Sequence, residues 1–138
     1  MTDPRADAPR PGVPGSVTAA TVLVWVGGVL TLLLALLVTA GSQLREAEFG
    51  VPGVGWSLVA GVAVHLFLAL AGLVALRARH QRWLLVVAAV LGLAGAVVVL
   101  TVVGSPTLGW LVAAWSAGVL AAALTPSAGS WVAGAPGS

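Results

Sequence analysis

Apolar residues in this chain run in long unbroken blocks, and the polar positions fall between them. Val17–Ala40 holds 24 residues without a charge. Trp56–Leu76 is interrupted only by His65, and Trp83–Val103 and Thr107–Leu124 carry no ionisable side chain. A helix needs about 20 apolar residues to cross ~30 Å of hydrocarbon, so each block predicts one membrane span, over 17–40, 56–76, 83–103 and 107–124. None of them alternates apolar with polar as the strand of a membrane barrel does. The expected fold is therefore all-α, an integral-membrane four-helix up-down bundle over 17–124. Residues 1–16 are expected to form a disordered cytoplasmic segment, and 125–138 a flexible cytoplasmic tail.

The breaks between blocks fit this division. Pro14-Gly15 precedes Ser16, a candidate N-cap of the first span. Gly50-Val-Pro-Gly-Val-Gly55 interrupts the chain before the second, within an outer loop, Gly41–Gly55, expected to be solvated. There Arg45 and Glu48 have the spacing of a pair on a helical turn. Ser105 is a candidate N-cap of the fourth span with Pro106 at its first position, and Thr125-Pro126 closes it. The first block follows two arginines and ends in Val38-Thr39-Ala40, like a cleavage site. It is nevertheless longer than the 7–15 residues of a signal-peptide core, and reads as an uncleaved span.

Arginine counting orients the bundle. Arg5, Arg10, Arg77, Arg79 and Arg82 fall on one side of a four-span arrangement, and only Arg45 on the other. The positive-inside bias puts both termini in the cytoplasm, in a plasma membrane, and argues against insertion both ways up. Trp56, Trp83, Trp110 and Trp131 lie near span ends, where an amphipathic ring favours the interface. Trp25 and Trp115 lie deeper and read as packing residues.

Composition sharpens the picture. The chain of 138 residues is 59% apolar and 7% charged, with a mean hydropathy of +1.09. That excludes an ordinary soluble enzyme, whose charged fraction is about a quarter. The net charge of +2 is too small for a nucleic-acid-binding surface. No Cys is present, which removes disulfides, thiolate metal sites and Cys nucleophiles. Phosphate-binding glycine loops and the H-E-x-x-H pattern are missing as well. No catalytic residue, metal site or cofactor is expected, and the lipid bilayer is the one certain partner.

His65 is the only ionisable residue inside a span. Near the middle of a membrane such a group is costly and marks a candidate functional site. Counting from the span ends places Thr31 and Ser116 at the same depth, within reach of a hydrogen bond. A relay or small-ligand site is one use of this trio; an imidazole that ties helices together is the other. Arg77, Arg79 and Arg82 form a candidate contact for anionic lipid, beside their role in topology. Small residues recur every four positions, as Gly27, Thr31, Ala35 and Thr39, then Ala88, Gly92 and Ala96, then Ala114, Gly118 and Ala122. Such stripes let helices approach closely in lipid, within one bundle or between copies.

The stretch RPGVPGSVTAA from Arg10 to Ala20, opening a first span, and the Arg-rich loop running into Trp83-Leu-Leu-Val-Val resemble small four-span membrane proteins of actinobacteria. The resemblance implies the same topology and supplies no catalytic residue. Other four-span families depart further. Small multidrug transporters rely on an acid in their first span, quinone-linked disulfide-forming enzymes on Cys, and fluoride channels on an Asn that this chain lacks. The expected function is that of a non-enzymatic accessory or structural protein, acting by helix contacts with itself or with other membrane proteins. The alternative is a small transporter or channel with His65 on its route.

Overall fold

The computed structural model describes residues 12–134; Arg5 and Arg10 lie outside them. Four helices are long and apolar enough to cross a membrane. They are α1 (Gly15–Phe49), α2 (Ser57–Arg77), α3 (Trp83–Val103) and α4 (Pro106–Leu124), and a short α5 (Pro126–Ala133) follows. No strand occurs among the described residues. Helix is the form a bilayer would impose on segments this apolar, since there every backbone N–H and C=O would have to be satisfied within its own segment.

Three boundaries differ from the sequence reading. The loop expected over Gly41–Gly55 is helical as far as Phe49, and at 35 residues α1 is about 52 Å long. Its charged end is solvent-polar and still helix-forming, and α1 stops only at Gly50, whose φ of 65° ends the run in the left-handed region. Ser16 is not an N-cap: the helix starts at Gly15, and the Ser16 hydroxyl lies 2.7 Å from that of Ser127 on α5. The tail expected to be flexible from Thr125 onward is helical over Pro126–Ala133. Thr125 accepts from the Ala128 N–H at 3.3 Å and Pro126 occupies the first turn, so the pair that ends α4 also starts α5.

The helices close around two apolar clusters. One joins Val17, Ala20 and Val24 of α1 with Ala69, Leu73 and Leu76 of α2, Leu85, Ala88 and Ala89 of α3, and Trp115, Val119 and Ala123 of α4. The other joins Ala35, Val62, Ala96, Val99, Leu108 and Val112. Two of the three small-residue stripes are spent inside: Thr31, Ala35 and Thr39 are fully buried, as are Ala88 and Ala96 within 2%. The third is divided, with Ala114 exposed and Ala122 buried. Trp115 is packed as expected at 4% exposure, whereas Trp25 is 56% exposed on the outer face of α1.

At one end the backbones of α2 and α3 press together. A Cβ on Gly72 would stand 2.7 Å from Leu85 Cα and 2.8 Å from Leu85 N, so only a glycine allows this spacing. Toward the other end the same two helices diverge, and Gly61 and Gly95 have nothing within 4 Å of an added Cβ. Gly72→Val is expected to force the pair apart. It should lower stability by about 1–3 kcal/mol, the range for overpacking, whereas Gly61→Ala should change it by less than about 0.5 kcal/mol. Thermal unfolding of the two variants in detergent checks the contrast.

Candidate functional site

Between the two apolar clusters, His65 of α2 and Ser116 of α4 meet at Gly92 of α3, and Thr31 of α1 lines one groove with His65. On α1, Thr31 sits between buried Val24 and Ala35. On α2, His65 sits between Val62 and Ala69. On α3, Gly92 sits between Ala89 and Ala96, and on α4 Trp115 and Ser116 lie between Val112 and Val119. Of the three residues that depth counting along the sequence set level, His65 and Ser116 both stand against Gly92, and Thr31 and His65 line one groove.

Gly92 makes the level possible. A Cβ there would meet the Ser116 hydroxyl and stand 2.6 Å from His65 Cε1 and 2.7 Å from Nε2. The imidazole thus occupies the space a side chain on α3 would take. Its other neighbour is Trp115, edge-on with ring centroids 4.9 Å apart at 78°. Such T-shaped packing suits the ring quadrupoles. Trp115 in turn lies against Gly27 of α1, in a wider turn of the helix over Leu23–Gly27.

The expected hydrogen bond from His65 to Thr31 or Ser116 is not formed. Thr31 Oγ1, Ser116 Oγ and Trp115 Nε1 are all buried without a protein partner, and Thr39 Oγ1 is in the same state two turns away. Leaving a buried donor or acceptor unpaired costs about 1–3 kcal/mol. Polar side chains of this kind mark either a strained packing solution or a place where a ligand atom completes the bonding.

Thr31 and His65 also lie at the inner end of a groove of about 650 Å³ between α2 and α3. Its walls are Leu58, Gly61, Val62, Val64 and Leu68 on one side and Leu91, Gly95, Val98, Val99 and Val102 on the other. Val64, Leu91, Val98 and Val102 are each at least half exposed, so the groove opens sideways from the bundle. Ser57, Gly53 and Val54 form its far end. Among the described residues, no Asp, Glu, Lys or Arg lines it.

Ser42, which sequence reasoning missed, holds that far end. Its hydroxyl accepts from the Val54 N–H at 3.1 Å and lies 3.0 Å from the Val54 carbonyl, folding the chain after α1 back over the groove. The signal was faint: one serine in a helix end that reads as loop.

The arginines are engaged with the protein. Arg77 donates to Thr21 Oγ1 at 3.0 Å, and Arg79 lies over the Trp131 ring at 3.8 Å. The Arg82 guanidinium approaches Trp83 at 5.4 Å and packs beside Gly129. Trp131 Nε1 donates to the Leu76 carbonyl at 3.1 Å, satisfying an orphan acceptor at the end of α2. Arg79 adopts a φ of 58°, unusual for a side-chain-bearing residue. The His80 N–H to Ala75 O and Arg79 N–H to Leu76 O bonds complete the turn around it. The cluster therefore fastens α1 and α5 to the α2–α3 turn, a role distinct from the expected lipid contact.

No family model, no curated protein and no solved structure matches this chain.

Two variants probe the polar level. Gly92→Ala is expected to displace His65 and cost about 1–3 kcal/mol. Ser116→Ala removes a buried hydroxyl that has no protein partner. It should be neutral or stabilising by up to about 1 kcal/mol. Thermal unfolding in detergent reads both, and a clear loss of stability in Ser116→Ala would contradict the unpartnered state.

Proposed function

We propose that the chain is a non-enzymatic accessory protein of the plasma membrane, a relative in plan of the small four-span proteins of actinobacteria. It is an up-down bundle with both termini in the cytoplasm, and it works by contact with other components of the bilayer. The observation that carries this reading is the groove between α2 and α3, open along its side to whatever surrounds the bundle. Its lining has no acid, no nucleophile–base pair and no charge, which suits binding better than catalysis. The small-residue stripes of α1 and α3 are used within the bundle, so the groove and not those stripes is the face offered to a partner.

A second reading, a small transporter or channel, is favoured by the convergence of His65, Thr31 and Ser116. Against it stands the packing below that level. Ala69, Leu73, Leu76, Leu85, Ala88, Ala89, Val119 and Ala123 fill the other half of the bundle, and all are at most 3% exposed. A conduit needs polar groups along its whole length.

Mass determination of the tagged chain, extracted gently from its native membrane, is expected to find a stoichiometric second component. A pure monomer or homo-oligomer would contradict the accessory role through other proteins. If the chain instead conducts, proteoliposomes should carry a pH-dependent flux that His65→Ala abolishes; the accessory reading expects no such flux. The orientation has its own test, because no native Cys competes with a label. Glu48→Cys is expected to react with an impermeant maleimide on intact cells, and Gln81→Cys only after lysis. The opposite pattern would invert the topology.

A further inference from the structure

The groove has a chemistry that selects its occupant. Its walls are Val, Leu and Gly, and its sides are open where the bundle would face lipid. The occupant therefore arrives from the bilayer and is apolar along most of its length. With no charged residue in the lining, an ionic headgroup would have no counter-charge there. His65 and Thr31 are polar members of the lining, and Ser57 is a third at its other end. His65 offers a ring N–H, and Thr31, 0% exposed, has a hydroxyl with no protein partner. A neutral imidazole has one donor and one acceptor nitrogen, and a hydroxyl can serve as either.

Size narrows the choice further. From Gly92 to Val102 the α3 wall rises about 15 Å. The groove lies within the ~300–1,000 Å³ range of small-ligand sites.

We propose that the groove between α2 and α3 binds a neutral lipid-soluble molecule through a carbonyl oxygen at its inner end. The carbonyl accepts a hydrogen bond from His65, with the Thr31 hydroxyl behind it, and the tail runs along Gly61 and Gly95 toward Ser57. The reading of this groove as the protein's contact face underlies the proposal. Two kinds of molecule share the required chemistry, a fatty-acyl ester and a tailed quinone, and the experiment separates them.

Full-length protein in alkyl-maltoside micelles, which contain no carbonyl, is mixed with methyl palmitate carrying ¹³C at its carbonyl, and in a parallel arm with a decyl-substituted benzoquinone. Infrared spectroscopy follows the carbonyl band. A band shifted to lower frequency that saturates at one equivalent per chain is expected in at least one arm, and the arm that shifts identifies the source. Gly95→Leu fills the groove from a position with open space around it, and should abolish the shifted band while the protein stays folded. His65→Leu should weaken binding about tenfold, the size of one neutral hydrogen bond, and leave the band of the bound probe near its free frequency. An unshifted band in both arms with folded protein, or a shift that persists in Gly95→Leu, would overturn the proposal. An unshifted band in protein that keeps a co-extracted partner would overturn it and leave the accessory reading standing. A saturable shift in protein that extracts alone would support the ligand and overturn the accessory reading instead.

Discussion

The near-contact of Gly72 with the backbone of Leu85 governs what the rest of the bundle can be. Two helices that touch without an intervening side chain at one end must either stay in contact or diverge along their length. Here they diverge, and the gap lies beside Gly61 and Gly95, where no atom stands within 4 Å of an added Cβ. In lipid, helices associate through close packing and interhelical hydrogen bonds rather than water exclusion, so one such contact can hold a pair that is open elsewhere. The groove is thus a consequence of where the small residues fall, and needs no special loop or lid.

Gly92 plays the complementary part on the inner side of α3. It gives its side-chain volume to His65, which lets the imidazole stand against Trp115 and Ser116. The bundle consequently changes character across one level. On one side is the Leu- and Ala-rich cluster that contains Leu76 and Leu85; on the other is a smaller cluster that contains Leu108. The unpaired hydroxyls of Thr31 and Ser116 lie at the junction. Buried hydroxyls without a partner cost stability, and Thr39, two turns further along α1, carries another away from this level.

The four apolar helices were legible because length and uninterrupted hydropathy mark a span almost independently of packing. The shared depth of Thr31, His65 and Ser116 was legible for a related reason: residues equally far from their span ends lie level when the spans pack side by side. Two of the three boundaries that differ show why they were not legible. The end of α1 carries Arg45, Glu46 and Glu48, which are polar yet good helix formers, so a composition that looks like loop folds as helix. Thr125-Pro126 reads as a stop for α4, but the same residues cap and begin α5. The docking of Trp131 on the Leu76 carbonyl then orders a segment whose Ser and Gly content suggests none.

The groove itself escaped the sequence because it depends on the distance between two helices rather than on any residue's identity. Gly61, Gly72, Gly92 and Gly95 look alike in a chain of 18 glycines. In the structure Gly72 is pressed against Leu85, Gly92 receives His65, and Gly61 and Gly95 face open space. A glycine that is pressed tight explains itself by packing. Gly61 and Gly95, by contrast, both line the groove that reaches His65, so their missing side chains widen it.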